Sequence, residues 1–183
     1  MVVQHVAAEG WLPTVALGTA YGAIAAQEAS VVGYPRGCIL WCDLEGVQPD
    51  ADVRDVIGFC NAWYDAVRVV GYDAGLYVGW RSGLSADELY YKLKFRRYWS
   101  GYNLDDDKKP SVRGVCMEQL PYPPSIANPQ TVDHHMNEYG LEREDALALA
   151  QRVTGIPFQY DVDIITGDHF NNVPTLLIPG DPG

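Results

Sequence analysis

Residues 38–46 read CILWCDLEG: an unbroken apolar run that turns abruptly to acid, leucine, acid and glycine. A strand with one wet face alternates apolar and polar residues, so a continuous run belongs to a strand covered on both faces. Strands of that kind occur almost only where helices cross between parallel strands and supply the cover. This one segment therefore reads the chain as α/β. Alternation along it puts Ile39, Trp41, Asp43 and Glu45 on one face, and Cys38, Leu40, Cys42 and Leu44 on the other.

The rest of the chain keeps the same rhythm. Val2–Val6 is a short apolar strand candidate, followed by the loop EGWLPTVALG and a small-residue helix over Tyr21–Val32 that Gly33, Pro35 and Gly37 terminate. Val53, Val56, Ile57, Cys60, Trp63, Tyr64 and Val67 recur at helical spacing, which predicts an amphipathic helix over Asp52–Val70. GYDAGLYVGW is the next strand. SADELYYKLK is a helix with Ser85 as N-cap and Glu88 in the capping-box position, and FRRYWSGY is a further strand. RGVCMEQL and YDVDII complete six strand candidates, with a helix over Glu142–Val153 between them. Strands separated by helices pair parallel, because a parallel crossover needs a dozen or more residues. Such an order builds a doubly wound sheet or a closed barrel. No G-x-G-x-x-G turn or P-loop follows any strand, so the barrel is the expectation.

Composition narrows the function. The 183 residues, 48% hydrophobic and 20% charged, are enough for one sizeable core, and a single domain over 1–183 is expected. A formal net charge of -11 opposes a nucleic-acid partner, whose phosphates are bound by Lys and Arg. The basic cluster Lys92, Lys94, Arg96 and Arg97 reads as the solvated end of a helix running into a strand. No stretch has the length of a membrane span, and MVVQHVAAEGW lacks the basic start and apolar run of a signal peptide. A cytoplasmic location is expected, with action on a cell wall requiring release or another export route. Cys38, Cys42, Cys60 and Cys116 sit in apolar segments without metal-ligand spacing and read as buried free thiols. Cys38 and Cys42, four apart on a strand, would stand about 13 Å apart, too far to bridge. His169 and the pair His134 and His135 also lack a ligand spacing, so neither metal nor cofactor is expected.

Asp43 and Glu45 emerge on one side of the buried strand, their α-carbons about 6 to 7 Å apart. Carboxyl groups so placed suit glycoside hydrolysis, and mutual repulsion raises the pKa of one of them, leaving an acid near neutral pH. Asp-x-Glu can equally be a solvated strand end or a helix cap. Its position after a fully apolar strand, at the end where parallel α/β folds keep their sites, favours chemistry. In YDVDII, Asp161 and Asp163 share a face and would close on the same mouth in a barrel. Tyr77, Trp80, Trp99 and Tyr102 lie near strand ends and offer ring faces for stacking on pyranose rings, or serve as core and rim residues. Gln119 can hydrogen-bond a sugar or satisfy backbone at its strand end.

The order LWCDLEG, GYDAGLYVGW, YWSGY, MEQ and YDVDIITGD resembles the glycoside-hydrolase-like barrel domains long filed as a domain of unknown function, distant relatives of the family 25 lysozymes. In those lysozymes one strand ends in Asp-x-Glu, a later one carries Gly-x-Tyr, another Trp and Tyr, and the last Val-Asp. The resemblance implies a parallel (β/α) barrel of TIM type. It implies Glu45 as general acid, Asp43 as companion carboxylate and Asp163 as the acid of the final strand, with Tyr77, Trp99 and Gln119 lining the cleft. The implied reaction is lysozyme-like hydrolysis of a β-1,4 bond in peptidoglycan or a related N-acetylated glycan, in a phage or bacterial setting. The alternative is an inactive barrel that binds saccharide or a protein partner. Typical barrels have eight strands in about 250 residues. The lysozyme barrels also open on a strand bearing an Asp that has no counterpart in this chain. The first βα units are therefore expected to be missing, with a homo-oligomer or an upstream segment to compensate.

Overall fold

The computed structural model describes residues 2–4, 9–102, 114–119, 136, 140–147, 163–166 and 174. In it Thr14 ends the first loop in an extended conformation, and its hydroxyl accepts a hydrogen bond from the Leu17 amide. That cap starts helix α1 at Val15, so the helix spans Val15–Val31 rather than beginning at Tyr21. Gly18 and Gly22, which give the segment the look of a loop, are the surface on which it packs. A side chain at Gly18 would run into the backbone carbonyl of Phe59, and one at Gly22 would lie 2.7 Å from the Trp63 carbonyl oxygen. Bare glycine lets α1 approach helix α2 (Val53–Val69) at backbone distance.

α2 follows its apolar stripe. Val56, Phe59, Cys60, Trp63 and Val67 are buried, and Asp52 caps the start by accepting from the Arg54 amide. The Trp63 indole N–H donates to Gln4 Oε1, which ties the helix to strand β1 (Val2–Gln4). Helix α3 (Ala86–Lys92) carries the expected capping box between Ser85 and Glu88. Beyond it Lys94 pairs with the exposed Asp65, and the Arg96 guanidinium donates to the carbonyls of Leu93 and Phe95. Lys94 is thus engaged by α2 and Arg96 by the end of α3.

The six strand candidates all contribute to one sheet: β1, β2 (Ile39–Leu44), β3 (Asp73–Val78), β4 (Tyr98–Ser100), β5 (Val115–Gln119) and β6 (Asp163–Ile165), hydrogen-bonded in chain order. The pairs from β1–β2 to β4–β5 are parallel. β2 and β3 match over six residues, from Ile39 opposite Asp73 to Leu44 opposite Val78. The Thr166 amide donates to the Cys116 carbonyl oxygen beside β5.

The two faces of β2 go to separate cores. Cys38, Leu40, Cys42 and Leu44 pack with the helix residues Val56, Phe59, Cys60 and Trp63. Ile39 and Trp41 pack with Tyr77, Trp99, Cys116 and Met117. Burying each large aliphatic or aromatic side chain contributes roughly 1.5–3 kcal/mol, so covering β2 on both faces makes it the best-anchored strand. The four cysteines are buried and free.

The chain divides into two units, one of Met1–Glu118 with Ile165–Gly183 and one of Gln119–Ile164. In the second, residues 143–147 are helical and Ala146 is buried, its amide donating to the Glu142 carbonyl oxygen. None of the helices among the described residues is long and apolar enough to cross a membrane.

Candidate functional site

Asp43 lies opposite Tyr77, Tyr77 opposite Trp99, and Trp99 opposite Met117, so one row crosses four strands. Its aromatic members pack edge to face: Tyr77 and Trp99 at 4.6 Å between ring centroids, Trp41 and Trp99 at 5.8 Å. The Trp41 ring lies over Gly75, where an added Cβ would stand 2.5 Å from it. Asp43, 6% exposed, is buried at the β2 end of this row. The Trp41 indole N–H, buried on the same face, has no hydrogen-bond acceptor among the described residues. A buried donor left in that state costs about 1–3 kcal/mol.

Glu45 is half-buried just beyond β2, where the ladder continues into the loops. The Gly79 amide donates to Leu44 O, the Gly46 amide to Trp80 O and the Val47 amide to Arg81 O. From the other side the Gly10 amide donates to Gly46 O, and the Trp11 indole N–H donates to the Glu45 carbonyl oxygen at 2.8 Å. Two neighbouring loops therefore hold the backbone around Glu45. Its carboxylate packs against Gly79: a Cβ there would meet Glu45 Oε2 and stand 2.7 Å from the Tyr77 ring. Gly101 does the same for the Tyr77 hydroxyl, which would lie 2.8 Å from a Cβ at that position. Two glycines at consecutive strand ends thus open the space that the Glu45 carboxylate and the Tyr77 phenol fill.

Trp80 and Tyr102, 39% and 45% exposed, stand at the rim after β3 and β4. Arg81 follows Trp80 in a left-handed conformation, φ 54°, with its guanidinium 4.0 Å above the Trp80 ring and 3.1 Å from Glu9 Oε1. That conformation costs an L-residue about 1–2 kcal/mol, and an exposed ion pair returns about 1 kcal/mol at most.

The structure thus brings Asp43, Glu45, Tyr77 and Trp99 to one side of β2–β4, with Trp80 on the adjoining loop. Gln119, buried, ends β5, and Asp163, half-buried, is the first residue of β6; both belong to the second unit. Asp161 and His134, His135 and His169 lie outside the described residues. Among the described residues no group of three or more His, Cys, Asp or Glu is placed to hold a metal ion. Thiol chemistry is disfavoured at Cys42 and Cys60. Burial pushes the Cys42 thiol well up, with the neighbouring Cys60 and Asp43 adding to it, and burial likewise raises Cys60.

Sequence reasoning did not single out Gly79, Gly101 or Arg81. The readable signal was the recurrence of glycine before an aromatic residue in YVGW and WSGY, at the ends of consecutive strands.

A site of this kind can place a carboxyl group beside a sugar ring lying on aromatic surface. The family model described as Rv2525c-like, glycoside hydrolase-like domain matches residues 1–137, which include Asp43, Glu45, Tyr77, Trp99 and Gln119 and stop short of Asp161 and Asp163. No curated protein and no solved structure matches the chain.

Proposed function

The chain belongs to the Rv2525c-like glycoside hydrolase-like domain family, and from that premise we propose that it hydrolyses a glycosidic bond in peptidoglycan or a related N-acetylated glycan. Kinship with the family 25 lysozymes, and a β/α-barrel wall made of strands in chain order, are part of the same reading. The observation that carries it is the seat of Glu45: a carboxylate at the end of β2, lodged against a glycine and beside the Tyr77 ring.

In this reading Glu45 donates its proton to the glycosidic oxygen as the bond to the anomeric carbon breaks. Asp43 stabilises the positive charge that develops on the ring, and water supplies the hydroxyl of the new reducing end and the proton that restores Glu45. Trp80 and Tyr102, exposed at the rim, supply the stacking surface, with the buried Tyr77 and Trp99 beneath the acids. Asp43 and Glu45, both within the matched residues, carry the chemistry in this reading.

The deep burial of Asp43, 6% exposed, favours a second reading, in which the same mouth binds saccharide without turnover. Clearing of cell-wall suspensions and reducing-end release from soluble N-acetylglucosamine oligomers, compared for wild type and Glu45→Gln, test the first reading. Loss of both with retained glycan pull-down assigns the acid to Glu45. Pull-down by wild type with no release from either substrate assigns the binding role.

A further inference from the structure

Arg81 has no part in the hydrolytic step, yet the chain keeps a large cationic side chain in a left-handed position, two residues from Gly83, which takes φ 77° as glycine. Its carbonyl oxygen accepts from the Val47 amide at 3.0 Å, so the residue is tied to the loop that follows Glu45. Its guanidinium rests over the ring of Trp80, itself the neighbour of the glycine against which the Glu45 carboxylate packs. Among the described residues the one carboxylate paired with it, Glu9, is 65% exposed, and the Arg81 side chain is 43% exposed.

We propose that Trp80 and Arg81 form a subsite, adjoining Glu45, for a pyranose ring that bears a carboxylate, and that Glu9 holds the place of that carboxylate in the free protein. The indole meets the ring with the face that Arg81 does not cover, while the planar guanidinium over its other face meets a substituent reaching past the indole edge, a fork that matches a carboxylate through two parallel hydrogen bonds. An exposed pair in high-dielectric surroundings exchanges readily for a ligand carboxylate held also by stacking. A neutral sugar needs no cation here. An acidic one, approaching a chain of net charge -11 past Asp43 and Glu45, does. The subsite depends on the glycan reading of this mouth and gives it a charge preference.

The test uses the full chain with Glu45→Gln, so that no turnover intervenes, titrated calorimetrically with an N-acetylglucosamine tetrasaccharide and with its counterpart carrying a carboxylate on one ring. The carboxylated glycan should bind at least about tenfold more tightly. Arg81→Asn, which tolerates the left-handed backbone, should erase the difference and leave the neutral affinity within about twofold. Arg81→Lys should restore part of it, and Glu9→Gln should tighten the carboxylated glycan alone. Equal affinities before Arg81 is changed, a preference that survives Arg81→Asn, or binding of neither glycan would each overturn the subsite. Glycan release by the Glu45-intact protein without Arg81-dependent discrimination leaves the hydrolase and removes the subsite. Discrimination without release does the reverse.

Discussion

The two ends of the parallel strands use similar residues to opposite effect. At the N-terminal ends of β2 and β3, the Tyr72 hydroxyl donates to Tyr34 O, the Tyr34 hydroxyl donates to Ile39 O, and the two rings stack at 6.2 Å. Arg36 lies 4.4 Å over the Tyr72 ring and donates to Val70 O, while Arg68 pairs with Asp73 and donates to Tyr72 O. Burial, together with Cys38 and Tyr72, pushes the Tyr34 phenol above its ordinary value. Each polar group there closes a loop onto the backbone. At the C-terminal ends the Tyr77 phenol and the Glu45 carboxylate stand against glycines that clear room for them. The division matches a general property of parallel α/β architecture, stability at the N-terminal ends and chemistry at the C-terminal ends.

Substitutions at the two ends should therefore separate activity from stability. The largest effect is expected from Glu45→Gln, with wall clearing and reducing-end release falling about 10²–10⁴-fold at an unchanged thermal midpoint. In the pH profile the alkaline limb of wild type, where the general acid loses its proton, should disappear from the residual activity of the variant. A limb that persists would move the acid elsewhere.

Gly79→Ala forces a methyl group onto the Glu45 carboxylate and the Tyr77 ring. Activity should drop more than about tenfold and stability by about 1–3 kcal/mol in urea unfolding. Gly10→Ala, where φ is positive but an added Cβ meets nothing within 4 Å, carries backbone strain without a clash, the reverse of Gly79→Ala. Activity of Gly79→Ala equal to that of Gly10→Ala would break the claim that glycine clears the site.

Tyr72→Phe tests the opposite end. It removes one hydrogen bond and should cost about 0.5–1.5 kcal/mol, with kcat/KM unaltered. A loss of activity without loss of stability would erase the contrast between the ends.

The smallest effect concerns Asp52, whose carboxyl is lowered from 3.8 to about 2, chiefly by the hydrogen bond from the Arg54 side chain. A depressed carboxyl stabilises the folded chain above its unfolded pKa, and that stabilisation is lost as pH falls through the folded value. The midpoint difference between wild type and Asp52→Asn should hold steady above about pH 5 and fade as pH falls through about 2. A difference independent of pH would show that the cap acts by geometry alone.

Much of the fold was legible because it rests on local patterns. The run CILWC announced a strand covered on both faces, and the two cores divide its residues as alternation requires. Ser85 and Glu88 announced α3. α1 was legible only in part: its small apolar residues show no helical stripe, and Gly18 disguises residues 15–20, six at its start, as loop, although Gly18 and Gly22 serve contact with α2. At the site, alternation placed Asp43 on the face of Tyr77 and Trp99. The seat of Glu45 depends on Gly79 and on the Trp11 indole, partners from neighbouring strand ends that no local spacing could join. The left-handed backbone of Arg81 was hidden too, since that conformation ordinarily goes with glycine or asparagine.

The six-residue match between β2 and β3 also bears on the order in which the chain assembles. β1 and β4 pair with their neighbours over three residues each, whereas β2, α2 and β3 make one unit with caps, core and ladder all within a short stretch of chain. Contacts close in sequence form first because less loop entropy is lost in closing them. Amide exchange should accordingly be slowest at Leu40–Leu44 and Leu76–Val78, with substitutions there slowing refolding and substitutions in β1 or β4 mainly speeding unfolding. The strand that carries the acid pair would then be set before the loops that hold Glu45 come to it.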